Sequence, residues 1–160
     1  FHHPYAYTRP FIVSLCYCFH FNNDITNTKR INVKQCIEQQ IITSKIQQIY
    51  PRTRRDLTEQ RLKKIGVYDR FDYVLCGDEV TNRKPDPEIY LSVLKRMDTD
   101  ARNALVLEDS IVGVEAAYRA GIDCIQVPDL IAPTEVQKKQ TVYTAKDLIE
   151  AKDYIKEYRV

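Results

Sequence analysis

Residues 105–121 read LVLEDSIVGVEAAYRAG, and within them Glu108 and Asp109 follow an apolar run without a break. Carboxylates at the end of a buried strand are costly unless something compensates their charge. Two adjacent hard-oxygen groups suit Mg2+, whose shell would be completed by waters and a phosphate. The helical pattern that follows turns its free N–H groups toward the same place, where an anion is favoured. The remaining requirement is a cation. Lys84, in NRKPDPEIY, supplies it from a loop stiffened by Pro85 and Pro87. The chemistry in view is recognition of a phosphorylated molecule together with a divalent metal. The plainer alternatives are helix capping for Glu108 and Asp109, and an exposed loop lysine for Lys84.

The elements that must position these residues are legible from about Gly66 onward. Tyr73–Cys76, Ala104–Leu107 and Cys124–Val127 are short apolar runs ended by turn residues, which predicts buried strands. Asp86 is expected as an N-cap with Pro87 at the first helical position, before a helix that lines up Ile89, Val93, Leu94 and Met97. A second helix is expected from Ile111 to Ala120, stopped by Gly121. Thr144 and Asp147 resemble a capping box for a last helix bearing Leu148, Ile149 and Ile155. Strands alternating with helices through short links predict right-handed crossovers and an α/β fold with a parallel sheet. Ligands bind such sheets at the carboxyl ends of the strands. Gly77-Asp78, Glu108-Asp109 and Pro128-Asp129 all fall at those ends, so acids gather on one edge.

The amino-terminal 52 residues are poorly patterned, with Asn, Gln, Thr, Lys and Arg scattered among apolar positions. Phe11 to Phe21 is the longest apolar stretch. It is shorter than the roughly 20 residues a membrane-spanning helix needs, and it lacks a signal-peptide cleavage pattern; a buried strand over 11–19 is expected instead. Five cysteines without framework spacing predict reduced thiols in a cytoplasmic protein. Cys16, Cys18 and His20 alternate and would share a strand face, but no second ligand pair accompanies them for zinc. Residues 52–64 carry six Arg and Lys, read as a solvated helix face. With a net charge of +2, nothing demands a nucleic-acid partner.

GDEVTNRKPDPEIY followed by LVLEDSIVGVEAAYRAGI resembles the last two motifs of the haloacid dehalogenase-like superfamily. The beta-phosphoglucomutase-like phosphatases are the nearest group, over roughly residues 54–135. The resemblance implies a Rossmann-like domain with helices on both faces of the sheet, and Mg2+-dependent phosphoryl transfer. It implies a small phosphorylated metabolite such as a sugar phosphate as partner, with neither nucleic acid nor membrane. By the same resemblance Lys84 would steady the nucleophile and the phosphate. Asp109 would bind Mg2+, Glu108 would hold the metal or its waters, and Ser110 would support that shell. A phosphate-binding Ser or Thr of the family falls on Thr53, which could equally be a plain loop residue.

The family's chemistry begins with an Asp nucleophile in a DxD pair, which becomes an aspartyl-phosphate while the second Asp acts as acid and base. No DxD followed by Gly-Thr occurs in this sequence. In the nearest string, FNNDIT (21–26), Asn22 stands for the nucleophile, Asp24 for the acid/base and Ile25 for the Gly. Asn does not form an acyl phosphate, and the string reads as coincidence. The 31 residues from Asn22 to Thr53 leave no room for the helical cap that selects substrates. The family's first strand is central, so either Phe11–Phe19 fills its place or the chain is a truncated or frame-shifted product; the second reading is preferred. The expected molecule is thus an incomplete core over 53–160. It would be a phosphatase or mutase lacking its attacking group, or a non-catalytic binder of Mg2+ and phosphate.

Overall fold

In β4 (Ala104–Glu108) every residue is buried, as expected of a parallel strand covered on both faces. The computed structural model describes residues 11–16, 47–50, 55–64, 66, 68–71, 73–128 and 131–158. β4 pairs in parallel with β1 (Phe11–Cys16) on one side and β5 (Asp123–Gln126) on the other, and β5 pairs with β6 (Tyr143–Thr144). A second parallel ladder joins β2 (Gln47–Tyr50) to β3 (Tyr73–Cys76). β1 and β2 belong to separate ladders but run close together, so the strands follow the order β3-β2-β1-β4-β5-β6 in space. Phe11–Cys16 therefore fills the central place that the preferred sequence reading left vacant.

Alternation along the strands divides the core in two. Leu105, Leu107, Ile125 and Val127 pack with Leu62 of α1 (Arg55–Lys64) and with Leu148 and Ala151 of α5 (Leu148–Tyr158). Val106 and Cys124 face the opposite way. They pack with Ile89, Tyr90 and Val93 of α2 (Glu88–Arg96) and Val114, Ala116 and Ala117 of α3 (Ile111–Arg119). Helices thus cover both faces, as expected. α3 ends where Gly121 adopts φ +69°, with Gly121 N–H donating to Tyr118 and Ile122 N–H to Ala117. That left-handed turn is the reason for a glycine there.

Three local expectations shift. α2 begins at Glu88 with Pro87 at the cap, one residue later than expected; Asp86 still contributes, its Oδ1 accepting the Glu88 N–H at 2.9 Å. Thr144 lies in β6 opposite Gln126 and does not cap α5. Asp147 does, its Oδ1 accepting from Ile149 and Glu150 N–H at 2.9 Å each. The capping box belongs instead to α4 (Glu135–Gln140), between Thr134 and Gln137, where polar residues without apolar periodicity gave no signal. No helix of the described residues is long and apolar enough to cross a membrane.

Candidate functional site

The carboxyl ends of β4 and β3 and the loop from β3 to α2 converge on one edge of the sheet, and Glu108 is the hub there. As the last residue of β4 it faces Cys16 across one ladder and Gln126 across the other. Its side chain is fully buried against α2 and α3, and so is that of Lys84; the two form an ion pair between Nζ and Oε1, with side-chain exposures of 3% and 0%. Oε1 also accepts from Tyr90 Oη at 3.0 Å. Oε2 accepts from Asp109 N–H at 3.2 Å, Ser110 N–H at 3.1 Å and Ser110 Oγ at 2.9 Å. This density of donors is what makes a buried carboxylate tolerable. Ser110 in turn caps α3 by accepting the Gly113 N–H at 3.1 Å.

The structure thus brings Lys84, Glu108 and Ser110 into one network, with half-buried Asp109 next in the chain. Lys84 is not an exposed loop lysine. Glu108, with both oxygens turned inward, is an organiser of the edge, and Asp109 is the neighbouring carboxylate at the amino end of α3. Thr53 and Asp24 lie outside the described residues, as do Asn22, Cys18 and His20.

Two residues escaped the sequence reading. Tyr90 is absent from the apolar face of α2 that the sequence predicts, Ile89, Val93, Leu94 and Met97, yet it is fully buried. Gly113 had a signal: a glycine inside the first turn of a helix is unfavourable unless space requires it. A Cβ built there would overlap Cδ and both oxygens of Glu108.

The loop carrying Lys84 is anchored at both ends by carboxylates. At its start Glu79 accepts from Cys76 N–H at 2.8 Å and from the Arg55 guanidinium at 2.8 and 2.9 Å. Arg55 also reaches the Val74 carbonyl at 2.9 Å. Donating to the Glu79 carboxylate raises the guanidinium pKa further above its already high value. Arg55 is therefore a clamp between α1 and β3, which corrects its reading as part of a solvated basic face. Cys76, Asp78 and Glu79 place potential ligand atoms within 4.8 Å of one another. Metal does not suit them: burial pushes the Cys76 thiol up, and Glu79 is already committed.

At the loop's other end Glu88 accepts the Thr81 and Asn82 N–H groups at 2.7 Å each. These bonds hold its carboxyl below the ordinary value of 4.5. A depressed folded-state pKa stabilises above the unfolded value, and that stability is lost as pH falls through the folded one. The stability difference between wild type and Glu88→Gln, from denaturant unfolding, is therefore expected to stay constant above pH 4.5 and to shrink below it. A difference that persists unchanged into strong acid would show that the charge of Glu88 is not the anchor.

A parallel sheet covered by helices on both faces, with a buried Lys–carboxylate pair at its carboxyl edge, defines an α/β protein of the class that binds ligands at that edge. A family model of haloacid dehalogenase-like hydrolases matches residues 34–127, more than half of the chain, and the chain belongs to that family. The phosphorylated carbohydrates phosphatase of Thermotoga maritima is 48% identical over 66 residues, covering 41% of this chain and 31% of that protein. Fructose-1-phosphate phosphatase YqaB of Escherichia coli is 34% identical over 71 residues, 44% of this chain and 38% of its own. The chain thus spans about a third of the length of these relatives. A Thermotoga maritima structure provisionally assigned as a beta-phosphoglucomutase superposes with a TM-score of 0.63 at 28% identity, over 82% of this chain and 58% of that one.

Proposed function

We propose that this chain carries the metal- and phosphate-binding half of a sugar-phosphate phosphatase or phosphomutase site, with little turnover of its own. The observation that carries the reading is the buried Lys84–Glu108 pair beside Asp109 at the carboxyl edge of the sheet. Mg2+ fits the donor set: a single carboxylate, Asp109, with waters and substrate oxygens completing an octahedral shell, is an ordinary way for this ion to bind. When bound, it would neutralise charge on the phosphoryl oxygens. Lys84 would supply the positive charge from the protein side, and Glu108 would fix where that charge sits. The sugar-phosphate class is supported by relatives named for phosphorylated carbohydrates and fructose-1-phosphate.

Phosphoryl transfer also needs an attacking group held in line with phosphorus. Glu108 lies opposite Cys16 at the end of β1, and the first carboxylate after Cys16 in the sequence is Asp24, eight positions on. This favours recognition over turnover. The 160-residue chain is accordingly expected to bind Mg2+ in calorimetric titration, to lose that binding in Asp109→Asn, and to hydrolyse p-nitrophenyl phosphate only in traces. Robust hydrolysis abolished by Asp24→Asn would assign an unrecognised nucleophile and end the turnover part of the reading. Equal Mg2+ affinity in Asp109→Asn would end the metal part.

A further inference from the structure

Tyr90 touches both members of the buried ion pair. It lies in the first turn of α2 and is fully buried. Its hydroxyl donates to Glu108 Oε1 at 3.0 Å, the same oxygen that takes Lys84. Its ring lies under the Lys84 ammonium, with Nζ 4.7 Å from the centroid. A filler of the core would need neither contact, and a Phe or Leu would bury as much apolar surface.

We propose that Tyr90 is a positioning residue, holding Lys84 over its ring face and sharing the Glu108 carboxylate so that the ammonium can also serve a bound phosphate. The inference rests on the reading of Lys84 as the phosphate cation. Two effects act together. The hydroxyl disperses part of the negative charge on Oε1, which weakens the grip of Glu108 on Lys84. The ring face attracts the ammonium where water cannot reach it, fixing the direction in which its N–H bonds point. Take away the hydroxyl and Glu108 draws Lys84 inward; take away the ring as well and the ammonium loses its seat.

Two variants separate these effects: Tyr90→Phe keeps the ring and removes the hydroxyl, and Tyr90→Leu removes both. The first readout needs no ligand. Reductive methylation followed by mass spectrometry compares Lys84 with Lys95, an exposed lysine in the last turn of α2. Relative to Lys95, labelling of Lys84 is expected to rise about tenfold in Tyr90→Leu, the equivalent of one desolvated cation–π contact. The second readout is the rise in melting temperature with inorganic phosphate, which reports affinity by mass action. Phosphate affinity is expected to fall about tenfold in Tyr90→Phe, the worth of one hydrogen bond to a charged group, and further in Tyr90→Leu.

Unchanged Lys84 labelling in Tyr90→Leu would overturn the inference, as would phosphate affinity unchanged in both variants while Lys84→Ala abolishes it. A phosphate effect that survives Lys84→Ala would instead overturn the role of Lys84 in the proposed function. The labelling result would then still decide whether Tyr90 seats that lysine.

Discussion

Replacing Glu108 by Gln is expected to destabilise the fold by about 3–5 kcal/mol, because it strands a buried ammonium without its counter-charge. With side-chain exposures of 3% for Lys84 and 0% for Glu108, little water is at hand to take the place of the lost counter-charge. Removing the other partner, as in Lys84→Met, leaves Glu108 with Tyr90, Ser110 and the two backbone N–H groups, so its cost is expected at the lower end of that range. The double variant removes both charges and should cost less than the sum of the single ones, with a coupling of at least about 2 kcal/mol for groups sharing one network. Denaturant unfolding of the four proteins closes the cycle. A coupling below about 0.5 kcal/mol would place the two side chains apart in solution.

The same pair shows how far the sequence reaches. That Glu108 ends a buried strand and that Lys84 sits on a proline-stiffened loop aimed at the same edge were both legible, because each follows from local pattern and strand order. That Glu108 faces inward was not. Both carboxylates satisfy the same sequence pattern, and only the side-chain alternation of β4 packed against α2 and α3 decides that Glu108 is the one under the helices. Arg55 fails for a similar reason. Its helix is rich in charge, but its first residue lies against the turn after β3, a contact 24 residues away in sequence from Glu79 that no periodicity encodes.

The strands divide along the same line. β3 and β4 are nearly continuous apolar runs, β5 overlaps the run that includes Cys124, Ile125 and Val127, and the sequence places all three within a residue of their ends. β6 has two residues, Tyr143 and Thr144, and exists because β5 offers it a ladder; its sequence looks like a helix cap. β1 was visible as an apolar stretch, but its central place depends on pairing with β4, a relation between residues some ninety positions apart. Long-range pairing is what a single sequence conceals.

Gly113→Ala is expected to reverse the usual sign of a glycine-to-alanine change in a helix. At an ordinary interior helical position the substitution stabilises by about 0.5–1 kcal/mol, since Gly carries more backbone entropy to lose. Here the new methyl would occupy the space of the Glu108 carboxyl group. That group cannot step aside, because Lys84, Tyr90, Ser110 and two backbone N–H groups hold it from several directions. Either α3 lifts from β4 or the carboxylate leaves its donors, and overpacking of this kind costs about 1–3 kcal/mol beyond the lost propensity gain. A net loss of about 2 kcal/mol would lower the melting temperature by about 4–8 °C in a chain of this size. The control is built into the geometry. In a Glu108→Ala background the obstacle is gone, so Gly113→Ala should become neutral or stabilising there, whatever the background itself costs. Stabilisation by Gly113→Ala in the wild-type chain would mean that the carboxylate does not lie against the first turn of α3, and the buried pair with Lys84 would fall with it.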